Sequence, residues 1–122
     1  MSLRINTLTI DAADPRLLAA FWVAALDWQV IHQDERQALI APALDRSEVP
    51  GAIAILFQQT SDAKSVKNRW HFDLVPDEQT AEVSRLESLG AHRVDIGQGE
   101  AGWVVMADPE GNEICVLRSF SG

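Results

Sequence analysis

A histidine and a glutamate in the second half of the sequence are the residues best suited to chemistry. His71 lies in a predicted strand, and Glu113 opens another strand directly after a tight turn. Because side chains alternate between the two faces of a strand, His71 and Asp73 face away from Phe72 and Leu74. A histidine paired with a carboxylate can act as a general acid and base. Both residues are therefore candidate catalytic groups; the alternatives are a hydrogen-bonded sheet histidine and a solvated hairpin carboxylate.

Aromatic side chains supply candidate walls for a ligand pocket. Trp103 begins the strand before the closing hairpin, and Phe57 lies near the end of the last strand of the first half. Aromatic walls suit flat or apolar ligands. We expect Phe57, Asp73 and Trp103 to contact a ligand, with core packing as the alternative for the aromatic residues. Trp22 lies on an apolar helix face and is expected in the core, and Cys115 is expected to be a buried, inert thiol.

Composition and charge restrict the class of partner. The chain has 122 residues, with 10 basic and 18 acidic side chains and a formal net charge of −8. A nucleic-acid binder needs a basic surface to displace counterions, and the sequence has no such cluster. No apolar run approaches the roughly 20 residues that span a bilayer, and the first residues are not a secretory signal. A single cysteine is typical of a reducing compartment. We therefore predict a cytoplasmic protein that binds neither nucleic acid nor membranes.

Two helices must position these side chains, and each has a recognisable beginning and end. Asp14 and Pro15 precede the apolar face of the first helix. They predict the beginning of this helix, because Asp is a favoured N-cap and Pro is tolerated at the first helical position. The pair Pro76 and Asp77 precedes the second helix. Gly90 ends the second helix, and Asp27 corresponds to it at the end of the first. The same cap, length and stop recur in both halves, which indicates an internal repeat.

Predicted strands surround each helix. They lie at 3–10, 28–33, 38–41, 52–58, 70–75, 92–96, 103–107 and 113–117. Turn residues at 97–99 and 108–112 predict hairpin connections. The order is β-α-β-β-β in each half, which predicts an α+β fold of two curved mixed sheets around a concave cleft. We predict a single domain over 1–122, with modules at 1–58 and 70–122 and a polar linker at 59–69.

Several segments carry a family resemblance that covers nearly the whole chain. They are Ile10–Pro15, Phe21-Trp22, Leu26, Lys67–Leu74, Leu89–Ala91 and Asp108–Glu113. These segments resemble the vicinal oxygen chelate superfamily, which includes glyoxalase I, extradiol dioxygenases and bleomycin-resistance proteins. They are most similar to its glyoxalase-like domain branch. The strongest single piece is the closing hairpin DPEGNEICVL, from Asp108 to Leu117.

The resemblance implies an incomplete metal site. In metal-dependent members, each module contributes one ligand from its first strand and one from its last, and the metal lies inside the concave surface. His71 and Glu113 occupy these positions in the second module. In the first module Leu8 stands in the place of His71, and the segment 52–57 has no His, Asp or Glu. Because a divalent site needs three or four protein donors, we expect at most a weakly bound divalent ion.

The resemblance leaves two classes of function open. The first is a lyase or isomerase of glyoxalase-like type, whose cleft is polarised by His71 and Glu113. The second is a metal-free protein of bleomycin-resistance type that sequesters a ligand between its sheets. A cleft filled by its own side chains is a third alternative. We expect a small-molecule ligand and a homodimer, since many relatives dimerise and a second copy could cover the edge strands.

Overall fold

The chain forms two compact units with the same order of elements. The structure is a computed structural model in which residues 4–44, 49, 51–97, 99 and 102–118 are described. One unit comprises Met1–Ala63 and the other Lys64–Gly122. The first contains β1 (Thr7–Ala12), α1 (Pro15–Leu26), β2 (Gln29–Gln33), β3 (Gln37–Ala41) and β4 (Ala54–Gln59). The second contains β5 (Phe72–Leu74), α2 (Gln79–Leu89), β6 (His92–Arg93), β7 (Val104–Ala107) and β8 (Glu113–Val116).

Each unit has one four-stranded mixed sheet. The strand orders are β1-β4-β3-β2 and β5-β8-β7-β6. In both sheets the strand before the helix pairs in parallel with the last strand, and the remaining pairs are antiparallel. A helix between two parallel strands is the crossover that such pairing requires. The predicted α+β fold with duplicated βαβββ units is confirmed.

The first helix begins and ends as predicted. The carboxylate of Asp14 accepts a hydrogen bond from the backbone N–H of Leu17 at 3.2 Å, and Pro15 occupies the first helical position. Asp27 follows the helix with a φ of 56°, and its backbone N–H bonds to the carbonyl of Val23. Asp is one of the few residues other than Gly that adopt this left-handed conformation at low cost. The local sequence therefore sets both ends of α1.

An apolar core lies between α1 and its sheet. Leu18 and Trp22 are fully buried, as are Ile55 and Phe57 on β4. The register pairs Phe57 with Ala38, so both side chains point to the same face of the sheet. Burying a Leu or Phe side chain contributes about 1.5–3 kcal/mol, so this layer accounts for much of the unit's stability. The prediction that Trp22 belongs to the core is confirmed.

The second helix begins one residue later than the sequence predicts. Glu78, not Asp77, is the N-cap, and its carboxylate accepts from the backbone N–H of Ala81. Glu78 has an extended backbone directly before the helix, and its side chain reaches the Ala81 N–H. Asp77 therefore does not cap the helix. Gly90 ends the helix with a φ of 120°. Its positive φ confirms the predicted stop, because Gly adopts it without a Cβ clash.

Side-chain contacts hold α2 against the second sheet. Val83 and Leu86 are buried on the helix face that covers the sheet. At the start of the helix, Gln79 Nε2 donates to the carbonyl of Val116 at 3.0 Å and to that of Gly102 at 3.1 Å. These bonds fix the beginning of α2 over β8. No helix among the described residues is long and apolar enough to cross a membrane.

Candidate functional site

The register of the second sheet separates a helix-covered face from a face that carries polar side chains. Phe72 pairs with Ile114, and Asp73 pairs with Cys115. Ile114 points toward α2 and is buried, so Asp73 and Cys115 point to the opposite face. His71, two residues before Asp73, belongs to that opposite face as well. Alternation in β5 therefore places Asp73 as the sequence predicts, and His71, which precedes the strand, contacts Asp73.

An open cavity of about 390 Å³ lies on this face of the second sheet. It is lined by His71, Asp73, Ile96, Gly97, Trp103, Cys115 and Leu117. Trp103 is 45% exposed, so its indole face is available to a ligand. Ile96 and Leu117 add apolar surface, while the histidine and the aspartate supply polar groups. A mainly apolar cavity with few convergent polar groups is typical of a small-molecule site.

The polar end of the cavity contains a close pair of side chains. His71 Nε2 lies 3.0 Å from Asp73 Oδ1, and the two side chains are 37% and 56% exposed. A carboxylate at this distance restrains the orientation of the imidazole. The pair is accessible from the cavity. It can therefore accept a proton from a bound molecule or donate one to it.

Cys115 lines the same cavity. Its side chain is buried, and burial raises the pKa of the Cys115 thiol above its ordinary value. The negative charge of Asp73 raises that pKa further, and the positive charge of Lys67 opposes this effect. A thiol of this kind is a weak nucleophile at neutral pH. The predicted burial of Cys115 is confirmed, and the residue also lines the cavity.

Three donors of different types surround one point in the cavity. The ligand atoms of His71, Asp73 and Cys115 all lie within 4.8 Å of one another. An imidazole nitrogen, a carboxylate oxygen and a thiolate are the three groups that bind zinc in proteins. The donor set therefore fits a divalent cation in number and in chemistry. It shares His71 with the predicted metal site and has Asp73 and Cys115 where the sequence analysis placed Glu113.

Glu113 fastens the segment that leads into β5. Its Oε1 lies 3.0 Å from Lys64 Nζ, and its Oε2 accepts from the backbone N–H of Asn68 at 2.9 Å. Burial by itself would raise the pKa of Glu113, but the Asn68 N–H and the Lys64 ammonium outweigh it and lower the pKa below its ordinary value. Within the described residues, no hydrogen bond or ion pair joins Glu113 to His71. Its catalytic and metal-binding roles stay predictions.

The predicted ligand-binding residues fall into two groups. Asp73 and Trp103 line the cavity, while Phe57 is fully buried in the first unit against α1 and its sheet. The sequence analysis did not include Cys115 in the site. A signal was available, because Cys115 is two residues beyond Glu113 and so shares its face of the strand. Its hydrophobic neighbours made core packing the simpler interpretation.

A buried aspartate shapes the hairpin that carries these strands. Asp108 is 1% exposed, and its Oδ1 accepts from the backbone N–H groups of Glu110 and Asn112, each at 2.9 Å. The side-chain amide of Asn112 donates to both carboxylate oxygens of Asp108. Gly111 completes the turn with a φ of 88°. The motif therefore fixes the register of β7 against β8, and with it the position of Cys115 in the cavity.

The duplicated βαβββ fold and the cavity on one sheet define a small α+β protein of the glyoxalase and bleomycin-resistance fold. The sequence model of the glyoxalase-like domain matches residues 7–117. The chain belongs to this family, as its motifs imply. None of the curated proteins compared with the chain matches it.

Solved structures confirm the fold at low sequence identity. The trypanothione-dependent glyoxalase I of Leishmania major is 14% identical, with 98% of this chain and 89% of that chain covered and a TM-score of 0.67. The bleomycin-binding protein of Streptomyces verticillus, complexed with copper(II)-bleomycin, is 16% identical, with 98% of each chain covered and a TM-score of 0.59. The protein ATC0852 of Agrobacterium tumefaciens is 10% identical, with 97% and 98% covered and a TM-score of 0.70. At these identities the likeness establishes the fold alone.

Proposed function

We propose that this protein binds a small, partly apolar organic molecule in the cavity of its second unit. The observation that carries the proposal is the composition of that cavity. An exposed indole, Trp103, and two aliphatic side chains form one part, and the His71–Asp73 pair forms another. A ligand with a flat apolar portion and a polar group matches both parts. The bleomycin-binding neighbour holds an organic ligand on the same fold.

The reaction class that suits the cavity is proton transfer, as in a lyase or an isomerase. His71 accepts a proton from a carbon or oxygen of the bound molecule, and the neighbouring carboxylate of Asp73 stabilises the imidazolium that forms. Trp103, Ile96 and Leu117 hold the apolar portion and exclude water from it. If His71, Asp73 and Cys115 instead hold a divalent cation, His71 is a ligand and not the base, and the cation would supply Lewis-acid polarisation of a substrate oxygen. The glyoxalase I neighbour shows that the fold accommodates enzymes.

A ligand-sequestering protein without catalysis is the second candidate. It is favoured by the openness of the cavity, whose described lining residues include one close histidine–carboxylate pair. Such a protein needs the apolar wall and the polar anchor but no proton transfer. The predicted homodimer and the predicted cellular location stay predictions. So does the expectation that nucleic acids and membranes are not partners.

The two candidates share a binding test. A ¹⁵N-labelled protein is titrated with a library of small aromatic acids, amines and amides and followed by NMR. Binding in the cavity shifts the backbone signals of Asp73, Ile96 and Cys115. Trp103→Ala weakens binding by about 0.5–1.5 kcal/mol, so that the shifts are lost at the ligand concentration that gives them in the wild type. Trp70→Ala is the matched control, because Trp70 is 82% exposed and does not line the cavity. Shifts that persist in Trp103→Ala contradict the proposed site.

A second experiment separates catalysis from sequestration. The protein is incubated in D₂O with a panel of α-hydroxycarbonyl compounds, and exchange of the carbon-bound proton is followed by ¹H NMR. An enzyme that transfers protons accelerates this exchange, and His71→Gln removes the acceleration while ligand-induced shifts at Trp103 persist. Ligand binding without any exchange identifies the sequestering protein instead.

A further inference from the structure

One group of side chains in the second unit is built more specifically than proton transfer or ligand binding requires. His71, Asp73 and Cys115 bring an imidazole, a carboxylate and the chain's single thiol to one place. Proton transfer needs the first two residues and has no use for the third. The metal donors that the family resemblance implies in this chain are His71 and Glu113, so a cysteine donor is a further property of this chain.

We infer that His71, Asp73 and Cys115 select a thiophilic divalent cation, of the Zn²⁺ and Co²⁺ type, over Mg²⁺ and Ca²⁺. A soft sulfur donor and an imidazole suit zinc and cobalt, whereas magnesium and calcium are bound by oxygen ligands. The thiolate of Cys115 is therefore the determinant of which metal is held. This inference concerns the same cavity as the proposed function and rests on the cavity being a ligand site.

The backbone positions the donors before any cation arrives. Asp73 and Cys115 are direct neighbours in the parallel pairing of β5 and β8. His71 is on the same face, and its Nε2 lies 3.0 Å from Asp73 Oδ1. In a tetrahedral zinc site with bonds of about 2.0–2.3 Å, neighbouring donor atoms are roughly 3.3–3.8 Å apart. Donors that already lie within 4.8 Å of one another are close to this spacing.

The charges and the number of donors also fit such a cation. The carboxylate of Asp73 and a thiolate at Cys115 together carry two negative charges, which a dication neutralises where Cys115 is buried. Three protein donors leave one tetrahedral position open, and this is the arrangement of zinc sites that accept a substrate or water. The three donors line the same cavity as Trp103. A polar group of the bound molecule can therefore complete the coordination.

Cobalt supplies a direct spectroscopic test on the full-length protein. Chelator-treated protein is titrated with CoCl₂ and followed by absorption. A thiolate-to-cobalt charge-transfer band in the near ultraviolet can arise from Cys115 alone, because the chain contains no other cysteine. We expect this band at one cobalt per chain, its loss on adding one equivalent of ZnCl₂, and its persistence in excess MgCl₂. Absence of the band, or its displacement by MgCl₂, overturns the inference.

Variants assign the donors. Cys115→Ser abolishes the charge-transfer band, and Asp73→Asn retains the band but weakens cobalt binding by about tenfold or more. Asp77→Asn, at an exposed carboxylate before α2, is the matched control and leaves both the charge-transfer band and the cobalt affinity unchanged. Circular dichroism checks that Cys115→Ser is folded. If Cys115→Ser does not fold, Asp73→Asn still tests the donor set, because Asp73 is half-exposed and its substitution does not disturb the core. Unchanged cobalt affinity in Asp73→Asn contradicts the inference.

The inference and the proposed function fail separately. Fragment-induced NMR shifts in the chelator-treated protein test the cavity as a ligand site without any metal. Fragment binding without a cobalt band overturns only the metal inference. A cobalt band without fragment binding leaves the metal site in place and overturns the proposed function.

Discussion

Asp73 and Cys115 are paired residues of parallel neighbouring strands, so a carboxylate borders a thiol on the open face of the second sheet. The pairing has a measurable consequence, because burial and the negative charge of Asp73 both disfavour the thiolate form of Cys115. The same proximity makes the two residues natural partners for a cation. The relationship therefore connects the reactivity of the thiol to the metal preference inferred for the cavity.

The first prediction concerns thiol reactivity. Asp73→Asn removes a negative charge next to Cys115 without changing side-chain size, so the pKa of the thiol falls toward its ordinary value. We expect the rate of alkylation by iodoacetamide, measured against pH in the presence of a chelator, to rise at lower pH in the variant. Asp77→Asn should leave the profile unchanged. Superimposable profiles for the wild type and Asp73→Asn would show that Asp73 does not act on the thiol.

The second prediction concerns Glu113 and acid stability. The folded protein holds the pKa of Glu113 below its ordinary value of 4.5, so the unfolded chain takes up this proton at a higher pH than the folded one. The stability that Glu113 contributes is therefore complete above the unfolded pKa and is lost as the pH falls through the folded pKa. We expect the free energy of unfolding to fall more steeply between about pH 5 and 3 in the wild type than in Glu113→Gln.

At neutral pH the same variant tests the contacts themselves. Glu113→Gln keeps one acceptor for the Asn68 N–H but loses the ion pair with Lys64. A charge-assisted contact of this partly buried kind contributes about 1–2 kcal/mol, measured by urea unfolding. Glu87→Gln, on the exposed side of α2, serves as the control for removing one negative charge. If the free energy of unfolding falls equally with pH in the wild type and in Glu113→Gln, the predicted contribution of Glu113 to acid stability is wrong.

The third prediction compares two tryptophans. Trp22 is fully buried between α1 and its sheet, so Trp22→Ala should destabilise the protein by about 3–5 kcal/mol. Trp103 is half-exposed at the cavity, and Trp103→Ala should cost roughly 1 kcal/mol or less while weakening ligand binding. Thermal unfolding measures both changes. A large loss of stability in Trp103→Ala would indicate a packing role in place of ligand contact.

The fourth prediction concerns the beginning of α2. Since the carboxylate of Glu78 caps this helix, Glu78→Ala should lower the free energy of unfolding by about 0.5–1 kcal/mol. Asp77→Ala should change it by only a few tenths of a kcal/mol. Chemical denaturation of both variants side by side decides between the two residues. The reverse order would restore Asp77 as the cap.

The fifth prediction concerns the buried turn residue. Asp108→Ala removes the acceptor that the N–H groups of Glu110 and Asn112 share in the hairpin. We expect a loss of about 2–4 kcal/mol and a displacement of β8 that also weakens ligand binding. Asp108→Asn retains one acceptor oxygen and should lose less. Wild-type stability in Asp108→Ala would show that the turn is held by its backbone alone.

Local signals in the sequence were enough for the fold. The caps and stops of α1, the Gly90 stop and the turn at Asp108–Asn112 depend on contacts within a few residues, so the sequence alone specified them. The local sequence does not set where the strands end, because the end of a strand depends on how far its partner strand continues to pair with it. β1, for example, extends to Ala12 because β4 continues to pair with it as far as Gln59. Side-chain alternation also predicts that Asp73 faces the cavity, which His71, just before β5, lines as well.

The site needed information that the sequence alone does not contain. Whether Glu113 meets His71 or Lys64 depends on how the segment before β5 folds back, and the structure gives the contact to Lys64 and the Asn68 N–H. Phe57 and Trp103 looked equally suitable as pocket walls, yet helix packing buries the first and leaves the second open. Cys115 joined the site through its pairing with Asp73, a contact between residues more than 40 positions apart. Short-range chemistry therefore determined the elements, and long-range strand pairing decided which side chains share the cavity.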